Sequence, residues 1–206
     1  MKFSIFADLH YYPGAFLKGT LEDLRLIQER AEREQVDFMI HAGDLCHGPS
    51  KMPEIVKRYN EFHIPSYHCL GNHDTDNTSR EETLSMYNMK EGHYYFDEKG
   101  YRFIICDPNY CLIDGEYVPY SLGNYYGLAW EQIDHMPPEQ IAWLETAIAE
   151  SDWPCVLISH QSLERDVMLP GAGVVKEVQE VRRVINEANR RKPHSVLMCI
   201  NGHLHR

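Results

Sequence analysis

The chain has 206 residues, 43% of them hydrophobic and 25% charged, which suits one globular domain with a single sizeable core. Its formal net charge of −11 repels DNA and anionic membranes at long range, so non-specific nucleic-acid binding is disfavoured and no membrane partner is expected. No run approaches the roughly 18 continuous apolar residues of a membrane span, and the first strand has no basic-plus-apolar leader, so a soluble cytoplasmic protein is expected.

Residues 1–10 open with a β-branched and aromatic run (Phe3, Ile5, Phe6) that stops at Ala7-Asp8-Leu9-His10. Side chains two apart in a strand share a face, so Asp8 and His10 leave the strand end as neighbours and make half of a metal site. Residues 11–19 are turn-rich. Thr20 with Asp23 resembles a capping box opening a helix whose stripe is Leu21, Leu24, Ile27 and Ala31. A strand over 36–42 runs into Gly43-Asp44, and a helix over 50–62 turns Ile55, Val56, Tyr59 and Phe62 inward. A strand over 66–70 then runs into Gly71-Asn72-His73-Asp74. This alternation predicts parallel, adjacent strands joined by right-handed crossovers.

A short helix over 79–88 carries the capping pair Ser79 and Glu82, and strands at 93–97 and 101–107 flank Glu98-Lys99-Gly100 as an antiparallel hairpin. A second sheet or an antiparallel edge begins there. Residues 108–137 lack periodicity and are rich in Tyr, Gly and Pro (Tyr110, Tyr117, Tyr120, Tyr125, Tyr126), which makes them a lid-like insertion or a surface excursion within a single domain over 1–206. A helix over 138–151, a strand over 155–159 ending at His160, a polar loop over 161–173 and a helix over 174–191 follow. The last strand, 196–201, delivers Gly202-His203-Leu204-His205. The fold class is α/β, with mixed sheets. Six cysteines form no C-x-x-C pair, and Cys69, Cys106, Cys155 and Cys199 lie in apolar runs; they are read as reduced and structural.

Five strand ends thus carry metal-ligand residue types, and in α/β sheets ligands sit beyond the carboxyl ends of the strands. The candidate ligands are Asp8, His10, Asp44, Asn72, His160, His203 and His205: two carboxylates, one amide and four imidazoles, enough for two divalent or mixed-valence ions if Asp44 bridges them. Imidazole with carboxylate suits Mn, Fe or Zn better than Ca or Mg. A two-metal centre roughly 3.5–4 Å across activates a bridging water as nucleophile, and its positive charge attracts a small phosphoester. His73, beside Asn72, is free to protonate the leaving oxygen, with Asp74 as its orienting partner. His47, three residues beyond Asp44, is placed against substrate or behind a ligand. His41, His63, His68, His93, His135 and His194 lack a partner motif and read as hydrogen-bonded or surface residues.

In order, Asp8-x-His10, Gly43-Asp44, Gly71-Asn72-His73-Asp74, His160 and Gly202-His203-Leu204-His205 resemble the motifs of the calcineurin-like metallophosphoesterase superfamily across essentially the whole chain. The resemblance implies a four-layer αββα sandwich. It also implies one metal on Asp8, His10, Asp44 and His205 and a second on Asp44, Asn72, His160 and His203, with His73 as the acid. Gly-Asn-His-Asp and the final Gly-His-x-His are similar to class III cyclic-nucleotide phosphodiesterases and to ADP-ribose or CDP-alcohol diphosphatases. A small phosphodiester or nucleotide pyrophosphate is therefore the expected substrate. The alternatives are a repair-type DNA exo- or endonuclease, which His47 and His160-Gln161 resemble, a phosphomonoesterase, or a non-catalytic metal-binding scaffold. An iron-tyrosinate centre of the purple acid phosphatase kind would need a tyrosine where His47 stands. Family members continue beyond Gly-His-x-His, so a chain lacking its last strands, with exposed apolar surface and strand edges, is a further expectation.

Overall fold

The computed structural model describes residues 1–14, 19–164 and 173–205. Three parallel strands, β1 (Phe3–Phe6), β2 (Phe38–Ala42) and β3 (Ser66–Cys69), form the first sheet in the order β1-β2-β3, as the alternation predicts. A second, four-stranded sheet has β4 (Tyr94–Glu98) antiparallel to β5 (Tyr101–Ile105), followed by β8 (Cys155–Ser159) and β9 (Val196–Asn201), both parallel to β5. Lys99 and Gly100 both take positive φ at the β4–β5 turn, the conformation a two-residue hairpin loop requires.

Alternation along the strands assigns the layers. Phe38, Ile40 and Ala42 of β2 face Phe103 and Ile105 of β5 and Val156 and Ile158 of β8 in a core between the sheets. The other face of β2 offers Met39 to Leu24 and Ala31 of α1 (Leu21–Glu34) and to Ile55, Val56 and Tyr59 of α2 (Pro53–Asn60). On the far side, Ile104 and Leu157 pack on Ile141 and Leu144 of α4 (Pro138–Ala149) and Val181 and Val184 of α5 (Val178–Arg191). Helices, sheet, sheet and helices make four layers. Because both faces of each sheet are covered, central strands such as β2 and β8 are buried along their whole length.

Several elements differ locally from the expectation. The 50–62 helix is a 3-10 turn at Pro49–Lys51 followed by α2, because Pro53 pushes Met52 out of helical backbone (φ −137°, ψ 54°). The 174–191 helix begins at Val178, since Val174 pairs with Ser162 in an isolated parallel bridge. Thr20 and Asp23 do form the capping box of α1, yet Leu21 in its first turn is exposed and Gln28 is buried instead. The Ser79–Glu82 pair caps α3 (Arg80–Met86) through the Glu82 backbone N–H. Parts of the predicted 11–19 and 161–173 loops lie outside the described residues.

Residues 108–137 are more ordered than their composition suggests. They contain a second hairpin, β6 (Tyr110–Ile113) and β7 (Glu116–Pro119), turning at Asp114-Gly115, both with positive φ. Cys111, Tyr120 and Tyr125 form a small core of their own. The segment is fastened below by Asn109 Nδ2 donating to the Leu70 carbonyl (2.9 Å) and by Gln161 Nε2 donating to Asn109 Oδ1 (2.8 Å). The six cysteines are free thiols, five of them buried.

His41 and His68 meet in the α1/α2 core, Nδ1 to Nδ1 at 3.3 Å, and His68 Nε2 faces Asn60 Oδ1 at 2.9 Å. Burial presses the His41 imidazole down to about 3 and His68 well below its ordinary range. An unfolded histidine takes up its proton near pH 6.5, so below that pH the unfolded chain binds protons that the folded core refuses. Stability should therefore fall on acidification through this window, by about 1.4 kcal/mol per pH unit for each histidine. Buried Asp74, raised to about 6, and Asp8, raised by burial, work the opposite way, while His93 and His203, lowered by burial, add to the decline. Chemical denaturation of the metal-free chain between pH 7 and pH 5 checks this, and His41→Leu should flatten the decline. An unchanged slope would mean that His41 is protonated in the fold.

Candidate metal centre

The carboxyl ends of both sheets lie along one edge, where the backbone leaves its strands abruptly. Asp8, His10, Asp44, His203 and His205 all have positive φ, between 44° and 71°. Side chains other than glycine are strained there, at a cost of order 1–3 kcal/mol each, and such strain collects at functional sites. Gly43 (φ +94°) is needed twice over, because a Cβ there would also run into the His160 ring. A Cβ at Gly71 would strike the Asp44 carboxylate, and one at Gly202 would meet Ala7 and Asp8. The three motif glycines let five strand ends close on one another.

Backbone bonds set the loops in register: Asp8 N–H donates to the Gly43 carbonyl (3.0 Å), His10 N–H to Asp44 (2.9 Å) and Gly202 N–H to His160 (3.1 Å). Asp8 accepts the His203 backbone N–H on both oxygens at 3.0 Å, tying the end of β9 to the end of β1 across 195 residues. Asp44, 1% exposed, accepts the His73 backbone N–H on Oδ1 (2.9 Å) and turns Oδ2 toward His160 Nε2 (3.0 Å) and His10 Nε2 (3.6 Å).

Among the described residues four groups of ligand-type atoms come together; besides His10–Asp44–His73 and His47–His73–Asp76, two consist of the expected ligands alone. Asp8, His10 and His205 form one, with His10 Nε2 and His205 Nε2 at 2.8 Å and His205 Nε2 3.3 Å from Asp8 Oδ1. Asp44, His160 and His203 form the other, with His160 Nε2 3.2 Å from His203 Nδ1. His160 Nδ1–H donates to the Ala42 carbonyl (2.9 Å), so Nε2 is the nitrogen it offers. Asn72 is buried; its amide Nδ2 donates to Tyr125 Oη (3.3 Å), while Oδ1 is buried without a hydrogen-bond partner. A buried amide oxygen left bare is costly in a fold that satisfies most of its polar groups, and a cation would supply the partner this oxygen lacks. Imidazoles, carboxylates and that oxygen fit divalent metal ions. Burial opposes ionisation of Asp44, but the His160, His73 and His10 rings outweigh it and hold the carboxyl far below its usual range. In turn His160, despite burial, is lifted to about 9 by Asp44 and Asp8.

His73 lies on the rim of this centre. The structure corrects its expected partner. Asp74 is fully buried and points away, accepting backbone N–H groups of Gly71 (2.8 Å), Asp44 (3.0 Å) and Leu45 (3.0 Å) and the Tyr87 hydroxyl (2.6 Å). It is the clamp that holds the Asp44 and Asn72 loops together. The 3-10 turn His73–Thr75 instead swings Asp76 under the ring, with His73 Nδ1 2.8 Å from Asp76 Oδ2. His47 also falls on Asp76 through Nδ1 (3.0 Å), and its Nε2 lies 3.1 Å from His10 Nδ1. Tyr125 and Tyr126 donate their hydroxyls to Asp76 at 2.5 and 2.9 Å.

Asp76 is a site residue that no sequence motif marked, while the two tyrosines lie in the Tyr-rich 108–137 segment expected to be lid-like. Asp76, three residues from His73, has the spacing of one helical turn, a signal that was available. The tyrosines gave no local one. The other histidines lie elsewhere: His63 on the surface near Glu32, His93 against Trp143, His135 bound to Glu177 and the Glu131 carbonyl, and His194 in a positive-φ turn. A cavity of about 770 Å³ lined by Tyr67, Tyr94, Tyr95 and Trp143 contains none of the centre's residues.

An αββα sandwich carrying two such clusters side by side, with Asp44 Oδ2 of one 3.6 Å from His10 Nε2 of the other, has the build of a dinuclear metallophosphoesterase. The calcineurin-like phosphoesterase family matches residues 1–206, and the chain belongs to that family. A manganese-dependent ADP-ribose/CDP-alcohol diphosphatase of Arabidopsis thaliana is 24% identical over a match covering 51% of this chain and 41% of that protein, so less than half of the relative's length is matched. Among solved structures, a dimetal phosphatase from Danio rerio (LOC 393393) is similar with TM-score 0.73 at 17% identity, covering 98% of this chain and 81% of that one. A phosphopantetheinyl hydrolase from Mycobacterium tuberculosis is similar with TM-score 0.54 at 15% identity, covering 98% and 82%. These two likenesses bear on the fold. Among the described residues, no helix is long and apolar enough to cross a membrane.

Proposed function

We infer that the chain hydrolyses small phosphodiesters or nucleotide pyrophosphates in the cytoplasm with two divalent ions bound at the strand-end centre. The observation that carries this reading is the Asp44 carboxylate, buried between the Asp8–His10–His205 and His160–His203 groups, with the bare Asn72 oxygen beside them. When bound, two such ions supply Lewis acidity toward phosphoryl oxygens and activate water as a nucleophile. Asp8, His10, Asp44 and His205 would hold one, and Asp44, Asn72, His160 and His203 the other. Four positive ionic charges against two aspartates leave the centre net positive within an acidic chain, so a small anion is drawn to it while a polyanion is repelled at long range.

The chain's own groups do the rest. The His73 backbone N–H fixes Asp44, and its ring, with Nδ1 engaged by Asp76, presents Nε2 to protonate the leaving oxygen. Tyr126, 58% exposed and stacked on Tyr125 at 4.5 Å, offers a ring face beside His73 on which a base can stack. The diphosphatase relative, named for manganese, ADP-ribose and CDP-alcohols, supports manganese and a nucleotide pyrophosphate as first choices. Gln161, one of the residues that resemble repair nucleases, is buried and donates its amide to Asn109 and Asp134, so it braces the fold.

The purified chain should cleave bis-p-nitrophenyl phosphate, lose activity on chelation and recover it with Mn²⁺. In a panel of ADP-ribose, cyclic AMP, phosphomonoesters and linear duplex DNA, a small diester or pyrophosphate should be cleaved fastest. Faster cleavage of the duplex would establish the nuclease reading, and inertness with every divalent metal would leave a scaffold.

A further inference from the structure

Asp76 accepts from four side chains: His47 and His73 through Nδ1 at 3.0 and 2.8 Å, and Tyr125 and Tyr126 through their hydroxyls at 2.5 and 2.9 Å. Resting on the reading of the centre given above, the geometry points to Asp76 as the positioning residue that sets the working nitrogen of both the acid and a metal ligand. A carboxylate can only accept, so both imidazoles carry their proton on Nδ1. For His73 this leaves Nε2 as the nitrogen available to chemistry. For His47 it leaves Nε2 as an acceptor, and the group 3.1 Å away is His10 Nδ1. His10 must then carry its proton on Nδ1 and keep its lone pair on Nε2, the atom turned toward Asp8, Asp44 and His205.

One carboxylate thereby fixes a ligand through a two-step relay and the acid directly, as partners behind a metal-binding histidine orient the ring and raise its basicity. The Tyr125 and Tyr126 hydroxyls hold that carboxylate from the opposite side. The wall formed by residues 108–137 is thus fastened to the same point, also through Gly123 N–H donating to the Thr75 carbonyl (2.9 Å). Asp76 is itself buried, 8% exposed, and in this assignment acts through the two rings it holds.

Asp76→Ala should act on two readouts together. Calorimetric titration of the metal-free chain with Mn²⁺ should show one of two sites weakened about 10–100-fold, the usual effect of removing a partner behind a ligand. At saturating Mn²⁺, turnover of an alkyl-leaving diester should fall about 10²–10⁴-fold, with much less loss on bis-p-nitrophenyl phosphate. His47→Ala separates the arms: it should weaken Mn²⁺ by a similar factor and leave the alkyl-to-aryl rate ratio at the wild-type value. Asp76→Asn keeps shape and one acceptor and should give smaller changes of the same kind, which retains the test if the alanine variant does not fold. In the long-range ¹H–¹⁵N spectrum of the metal-free protein, His10 should show its proton on Nδ1, and both Asp76 variants should lose that single tautomer. Folded Asp76 variants with wild-type Mn²⁺ affinity and an unchanged alkyl-to-aryl ratio would overturn the assignment. A wild-type chain that neither binds Mn²⁺ nor hydrolyses esters would instead overturn the phosphoesterase reading beneath it.

Discussion

Asp44→Asn should remove turnover on every phosphoester, activated or not, by at least about 10³-fold, the upper end of what one lost electrostatic contact costs an active site. The asparagine keeps an oxygen for the His73 backbone N–H, so the loop should hold its shape. What disappears is the negative charge between His10 and His160, which faces both ligand groups. Manganese titration of the metal-free variant should accordingly show both sites weakened, where a substitution confined to one group, such as His205→Ala, weakens one. Retention of both sites at wild-type affinity would show that Asp44 is not shared. Loss of one site alone would place it on a single ion.

His73→Ala should lower turnover by about 10²–10⁴-fold on an ester with an alkoxide leaving group, the ordinary contribution of a general acid, and far less on a p-nitrophenyl ester. A p-nitrophenolate leaves with little need of a proton. Both ions should remain, since the His73 backbone N–H that holds Asp44 is preserved in alanine. Elemental analysis together with the two rates checks this. Equal damage to both esters, or loss of metal, would make His73 a ligand or a structural group.

The difference between the two variants reflects how the site is layered. Asp44 lies at the meeting of β1, β2 and β8, fully desolvated, where a charge has large effects. His73 is half-buried on the rim, held to Asp76 and flanked by tyrosines from a segment about fifty residues further along. Tyr125, which also accepts the Asn72 amide N–H, ties this rim to the candidate ligands.

Much of this was legible in the chain by itself. Strand runs with alternating or continuous apolar character, each stopping at a residue of metal-ligand type, named the candidates Asp8, His10, Asp44, Asn72, His160, His203 and His205, and the capping box at Thr20 and the turn at Lys99-Gly100 are local chemistry. Asp114-Gly115 was an equally local hairpin signal inside a segment read as irregular. Tertiary structure alone decided that the five strand ends belong to two sheets whose carboxyl edges coincide, because sheet membership depends on which faces bury each other and not on any one strand's pattern. It also decided which acid serves His73. Asp74 and Asp76 differ by two residues in the sequence, but the 3-10 turn sends one into the loop backbones and the other beneath the ring. Tyr125 and Tyr126 reach the same carboxylate only because distant hydrogen bonds fold residues 108–137 against the site, and no periodicity in the sequence encodes where a long loop comes to rest.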